Sequence, residues 1–166
     1  STRKESSAAS DVYKRQSPDS GRVRVADIWA DRLGAPLAII HKRRDPDVPN
    51  QVSAHELVGD VTGRTCLLVD DMIDTAGTIV AAAAALKKNG AARVIVASTH
   101  AVFSDPAVER LSGDSVDAVV VMDTLPIPDD KRFEKLTVLS VAPLIARAIS
   151  AVFDDDSVSQ LFPGHA

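Results

Sequence analysis

Between Thr65 and Thr78 the chain reads TCLLVDDMIDTAGT, and this stretch holds the residue types that could do chemistry. Two adjacent carboxylates, Asp70 and Asp71, precede a small-residue turn, Asp74-Thr75-Ala76-Gly77-Thr78. Carboxylates accept hydrogen bonds from sugar hydroxyls. Hydroxyls and exposed backbone N–H groups at the start of a helix can hold a phosphate monoester. Diol on one side and phosphate on the other describe a ribose 5-phosphate site. A plainer reading stands beside it: the same pattern fits a βα unit whose helix is capped by Asp74 or Thr75, with no ligand at all.

The elements that must position these residues are legible on either side. Thr65 to Val69 is a short apolar run, suited to a strand buried on both faces. Ile79 to Lys88 is alanine-rich and predicts a helix, closing on Asn89-Gly90 as a left-handed C-cap. In an open α/β sheet, ligands sit outside the carboxyl ends of the strands. Further strands are expected at Pro36–His41, Arg93–Ser98, Val116–Met122 and Leu136–Val141. Helices are expected over Gly21–Leu33, with Trp29 as a core anchor, and from Ser104, as N-cap, to Leu111. A closing helix over Pro143–Phe153 would carry Leu144, Ile145, Ala148, Ile149 and Val152 on one face. Gln51 to Gly63 reads as a return segment, and Ser1 to Gln16 as a disordered or foreign extension. The alternation predicts an α/β fold with a mostly parallel sheet flanked by helices.

Composition narrows the class. A hydrophobic share of 45% with 25% charged residues is that of a globular domain. A net charge of −4 gives no basic excess for nucleic acid. No apolar run approaches the ~20 residues of a membrane span, so the expected location is the cytoplasm. Cys66, the single cysteine, lies in the predicted strand and reads as a buried thiol. Lys42-Arg43-Arg44, followed by the proline-punctuated DPDVPN, reads as a mobile basic flap or as a solvated charge cluster.

The whole pattern, an apolar run, D-D-hydrophobic-hydrophobic-D-T-small-G-T and then a helix, resembles the phosphoribosyl pyrophosphate (PRPP) loop of the phosphoribosyltransferase-type fold. In the form DDMIDTAGT it is most similar to ribose-phosphate diphosphokinases, the PRPP synthetases. The resemblance runs from about Ser17 to Phe162. It implies the reaction of ATP with D-ribose 5-phosphate to give AMP and PRPP. Asp70 and Asp71 would face the ribose hydroxyls, and Asp74, Thr75, Ala76, Gly77 and Thr78 would wrap the 5-phosphate. Lys42 and Arg44 match the Lys-x-Arg flap that stabilises charge during diphosphoryl transfer. Asp19, in Ser17-Pro18-Asp19, matches a carboxylate that helps bind the Mg²⁺ accompanying ATP. Ser157, Ser159 and Phe162 fall in a segment that binds a phosphate or ADP effector at a subunit interface. The family implies a homo-oligomer, hexameric in its better-known members. Ala76 stands where glycine is common, so a positive φ there would carry strain.

Family members carry a second domain in front of this one, so residues 17–166 are expected to be the C-terminal phosphoribosyltransferase-type domain of a partial form, binding sugar phosphate with little turnover alone. Two alternatives use the same residues. A PRPP-consuming phosphoribosyltransferase would not need the basic flap, and a non-catalytic regulatory subunit would be expected to have lost the flap or the acidic pair.

Overall fold

The computed structural model describes residues 10–15, 28–44 and 52–161. Strands β1 (Ser10–Arg15), β2 (Leu37–Arg44), β3 (Val52–Val58), β4 (Thr65–Ile73), β5 (Arg93–Ala101), β6 (Ala118–Met122) and β7 (Leu136–Leu139) form one sheet in the order β3-β2-β1-β4-β5-β6-β7. Every neighbouring pair is parallel except β2 with β3. The helices are α1, described over residues 28–33, α2 (Gly77–Lys88), α3 (Ala107–Ser112) and α4 (Ala142–Phe153). The α/β architecture with a mostly parallel sheet is the one expected.

The core lies against one face of the sheet. Through the first part of β4 and β5 and along β6, alternate residues are buried: Cys66 and Leu68, Val94 and Val96, Val119 and Val121. A strand's side chains alternate between faces, so these form one layer. Against them α2 buries Ile79, Ala82, Ala83 and Leu86, the spacing of one helical stripe. Cys66 is a buried thiol, as expected.

The end of α2 is tightly specified. Gly90 N donates to Lys87 O and Ala91 N to Leu86 O, at 3.0 and 3.1 Å, with Gly90 at φ +92°. This is a Schellman closure, and the left-handed residue is a glycine because it lacks a Cβ. Asp117 then ties the helix to the sheet. Its Oδ2 accepts from Val94 N at 2.6 Å and pairs with Lys87 Nζ at 2.7 Å. Burial alone would raise the Asp117 carboxyl, but the Lys87 and Val94 hydrogen bonds, with the charges of Lys87 and Arg93, outweigh it and hold it below the usual range. Because the folded pKa is depressed, the stabilisation is complete above the unfolded value of about 3.9 and disappears as pH falls through the folded one. Asp117→Asn should therefore cost about 1.5–3 kcal/mol at neutral pH. Urea titrations at several pH values should show the wild-type advantage shrinking below pH about 4.

Three expectations need correction. Ser10–Arg15, expected to be unstructured, forms β1 between β2 and β4. Without it the flanking strands would face each other with unpaired backbone groups; main-chain pairing fills that slot without any apolar period in the sequence. Trp29, expected in the core, is 38% exposed on α1. Ser104 is not a cap: α3 begins at Ala107 behind Pro106, with no side-chain cap. The one-faced apolar stripe expected on α4 carries no buried residue. Ile145 and Ile149 are half exposed and Val152 more so, since no described element covers them.

Candidate functional site: the β4–α2 loop and the basic ribbon

At its carboxyl end β4 stops being apolar. Asp70 and Asp71 extend the strand past the core, and Asp70 Oδ1 accepts from Asp71 N at 3.0 Å. The chain turns through Asp74 and Thr75, and Ala76 takes up a left-handed conformation at φ 58°, ψ 0°. For alanine this costs about 1–2 kcal/mol, so the strain expected from its place in the motif is present. Helix α2 starts at Gly77, and its N-cap, Ala76, has no side-chain cap. Asp74 and Thr75 are therefore not spent on capping. The first rung of the helix is Val80 N to Ala76 O at 3.0 Å, which leaves the N–H groups of Gly77, Thr78 and Ile79 ahead of the ladder.

Asp70 to Ile79 line a single hollow of about 250 Å³. The structure thus brings together every loop residue singled out from the sequence: Asp70, Asp71, Asp74, Thr75, Ala76, Gly77 and Thr78. One end carries carboxylates. The other carries backbone donors, a hydroxyl and the positive end of the α2 dipole, which favours an anion. A second, mainly apolar hollow of about 380 Å³ lies alongside, sharing Asp70 and Asp71 and lined by Trp29, Val69, Val120 and Leu139.

The basic residues sit on the β2–β3 ribbon. Among the described residues β1 pairs with β2 from Val12 with Leu37 to Arg15 with Ile40, and β2 and β3 pair through Lys42 with His55 and Arg44 with Val52. The register slips between Arg43 and Arg44. Leu37 and Leu67 both pair with Val12, so by register Lys42 is level with Met72 and Arg44 with Asp74. Two strand spacings separate them, roughly 10 Å. The ribbon thus rises from the same sheet edge as the loop. Lys42–Arg44 belong to a paired strand, where the sequence suggested a loose flap.

Other expected residues lie elsewhere. Asp19 and Phe162 fall outside the described residues. Ser157 and Ser159 hydrogen-bond to each other at 2.6 Å, just ahead of and within the turn at Val158–Leu161, and line neither hollow. Thr124, two residues beyond the end of β6, lies outside both hollows. Its hydroxyl donates to Thr99 O at 2.9 Å, and its oxygen lies 2.9 Å from His100 Nδ1. One hydroxyl has one proton, so His100 Nδ1 is the donor, and the other ring nitrogen is left as an acceptor in the neutral ring. Asp123, next to it, accepts from Val141 N at 2.7 Å at the start of α4. That bond, with one from Ser140, keeps its carboxyl below the usual range. Sequence reading missed Arg110, whose Nη1 donates to Thr75 O at 2.8 Å across 35 residues.

Comparison with known proteins decides the lineage. The model of the phosphoribosyl synthetase-associated domain matches residues 46–163. The chain belongs to that family. It is 61% identical over 151 residues to a ribose-phosphate pyrophosphokinase of Mycobacterium bovis, covering 90% of this chain and 46% of that protein. A ribose-phosphate pyrophosphokinase of Streptomyces avermitilis is 62% identical over 88% of this chain and 45% of its own length. The crystal structure of a phosphoribosylpyrophosphate synthetase from Mycobacterium smegmatis superposes with a TM-score of 0.77 at 52% identity, over 89% of this chain and 46% of that one. The chain therefore spans a little under half the length of these relatives and shares the fold of the matching part. No helix among the described residues is long and apolar enough to cross a membrane.

Proposed function

We propose that this chain is the ribose 5-phosphate-binding part of a ribose-phosphate diphosphokinase, its C-terminal phosphoribosyltransferase-type domain being residues 17–166 together with the strand supplied by Ser10–Arg15. The observation that carries this reading is the uncapped start of α2, which shares one hollow with the Asp70-Asp71 pair. A phosphate monoester meets the Gly77, Thr78 and Ile79 N–H groups and the Thr78 hydroxyl. The furanose hydroxyls then fall toward Asp70 and Asp71.

In the proposed reaction the anomeric hydroxyl attacks the β-phosphorus of ATP. The O1–Pβ bond forms, the bond from the β-phosphorus to the bridging oxygen breaks, AMP leaves with that oxygen, and the hydroxyl proton is released. The protein contributes position and charge, not a covalent intermediate. Lys42 and Arg44, on the ribbon beside the loop, neutralise the charge that develops on the phosphates.

Mg²⁺ usually keeps several waters and binds through one or two carboxylates plus substrate phosphates. No three His, Cys, Asp or Glu side chains among the described residues converge on one point. The resemblance implies an ion arriving with ATP, and Asp19 is the proposed protein ligand. When bound, the ion neutralises phosphate charge. The chain is proposed to work in the cytoplasm within a homo-oligomer, hexameric as the resemblance implies. The exposed apolar stripe of α4 supports burial against another subunit. Ser157, Ser159 and Phe162 are proposed to contribute to an effector site at such an interface.

Calorimetric titration of ribose 5-phosphate into the chain tests the reading. Saturable binding is expected, weakened at least tenfold by Asp74→Ala. Absence of binding by the folded wild type, or equal binding by the variant, would overturn it.

A further inference from the structure

The hollow that would receive a phosphate dianion contains three carboxylates, Asp70, Asp71 and Asp74, and among the described residues no lysine or arginine lines it. Within the loop, the groups suited to an anion are backbone N–H groups and the Thr78 hydroxyl, and something has to hold them in place. The loop cannot do so by capping, because α2 has no side-chain cap. It also sits in a left-handed turn that alanine adopts at a cost.

Arg110, on α3, is the group in contact with this turn from outside the hollow. Its Nη1 donates to Thr75 O at 2.8 Å. It also lies directly beneath Gly77, where an added Cβ would stand 3.0 Å from the same nitrogen. Across a trans peptide, C=O and N–H point in opposite directions. Drawing the Thr75 carbonyl toward Arg110 therefore turns the N–H of Ala76 the other way, toward the hollow that Ala76 lines. With Ala76 left-handed and Gly77 opening the helix, successive N–H groups converge in an anion nest.

We infer that Arg110 is a positioning residue for phosphate binding, setting the plane of the Thr75–Ala76 peptide so that the loop presents its N–H groups to the anion. The inference rests on the sugar-phosphate reading of the hollow. It also explains why position 77 takes a glycine: the guanidinium occupies the space of a side chain. Because that guanidinium is the flexible end of a long side chain, Gly77→Ala displaces Arg110 and leaves the fold intact.

The test uses Arg110→Ala, Arg110→Lys, Gly77→Ala and the Arg110→Ala/Gly77→Ala double variant of the whole chain. In the ligand-free protein, ¹⁵N order parameters at Ala76 and Gly77 should drop from the rigid range near 0.85 to below about 0.6 in Arg110→Ala. Those of β5 should stay unchanged. Ribose 5-phosphate affinity should fall tenfold or more in Arg110→Ala and in Gly77→Ala. The double variant should be no weaker than either single one, since both remove the same contact. Arg110→Lys should restore part of the affinity, because a point charge replaces a fork. A loop that stays rigid without Arg110, or a loosened loop that binds as tightly as before, would overturn the inference. So would additive losses in the double variant. If the wild type binds no ribose 5-phosphate, the site reading and the binding role of Arg110 fall together. The order parameters would then still decide whether Arg110 holds the loop.

Discussion

Phe103→Ala is expected to destabilise the fold by about 3–5 kcal/mol, the range for removing a buried phenyl ring from a core. Phe103 lies two residues beyond the end of β5, is 1% exposed, and packs edge-on against Phe133 with ring centroids 6.1 Å apart. Its backbone is left-handed at φ 51°, an unfavourable state for a bulky residue, so the burial of its ring must outweigh that local cost. Its consequence reaches the site. Both Val102 N and Phe103 N donate to Ile73 O, at 3.0 and 3.1 Å. Ile73 is the last residue of β4, immediately before the Asp74–Thr78 loop. Phe103 thus anchors the strand end from which the loop departs. The melting temperature should fall by about 10 °C or more. Phe103→Leu, which keeps most of the buried volume, should recover most of that loss. A melting temperature within 2 °C of wild type for the alanine variant would contradict this account of the anchor.

The site was legible in the chain wherever its residues are neighbours in sequence. Asp70 to Thr78 form one turn between one strand and one helix. A run of apolar residues ending in carboxylates and then small residues has few other ways to fold, and the comparisons support the family the pattern suggested. The core of α2 was equally readable, because alanines at one face of a helix pack close to a sheet. Long-range contacts were not readable. Arg110 reaches Thr75 across 35 residues and His100 reaches Thr124 across 24, and no period or spacing marks such pairs. Position 76 was open to reading only as a question about φ, because an alanine in a slot that favours glycine shows its strain only in the folded backbone. The failure at Ser10–Arg15 has a different cause. Polar residues carry no sheet signal of their own, yet a gap between β2 and β4 accepts any extended backbone. The stripe on α4 was recognised as amphipathic, but a stripe says only that something covers it.

The largest effect on chemistry is expected at the ribbon. Lys42→Ala and Arg44→Ala, made in the complete synthetase of which this chain is the proposed part, should each reduce kcat by 10²-fold or more. That is the order of magnitude for removing one group that stabilises transition-state charge. The register puts Lys42 level with Met72 and Arg44 level with Asp74, roughly two strand spacings away. In the proposed site, a strand position at that distance would place them beside the sugar and within reach of the diphosphoryl group being transferred. Ribose 5-phosphate affinity should therefore change less than about threefold, since the proposed site holds the 5-phosphate at the α2 N-terminus instead. A loss of kcat at unchanged sugar affinity marks an interaction made chiefly in the transition state, whereas Asp74→Ala should act mainly on binding. Arg44→Lys should recover only part of the rate, because a point charge cannot reproduce a bidentate fork on phosphate oxygens. Steady-state kinetics with ATP and ribose 5-phosphate varied independently would separate these outcomes. If Lys42→Ala and Arg44→Ala left kcat within a few-fold of wild type, the ribbon would be a solvated charge cluster, and the charge of the transferred group would have to be met by other residues.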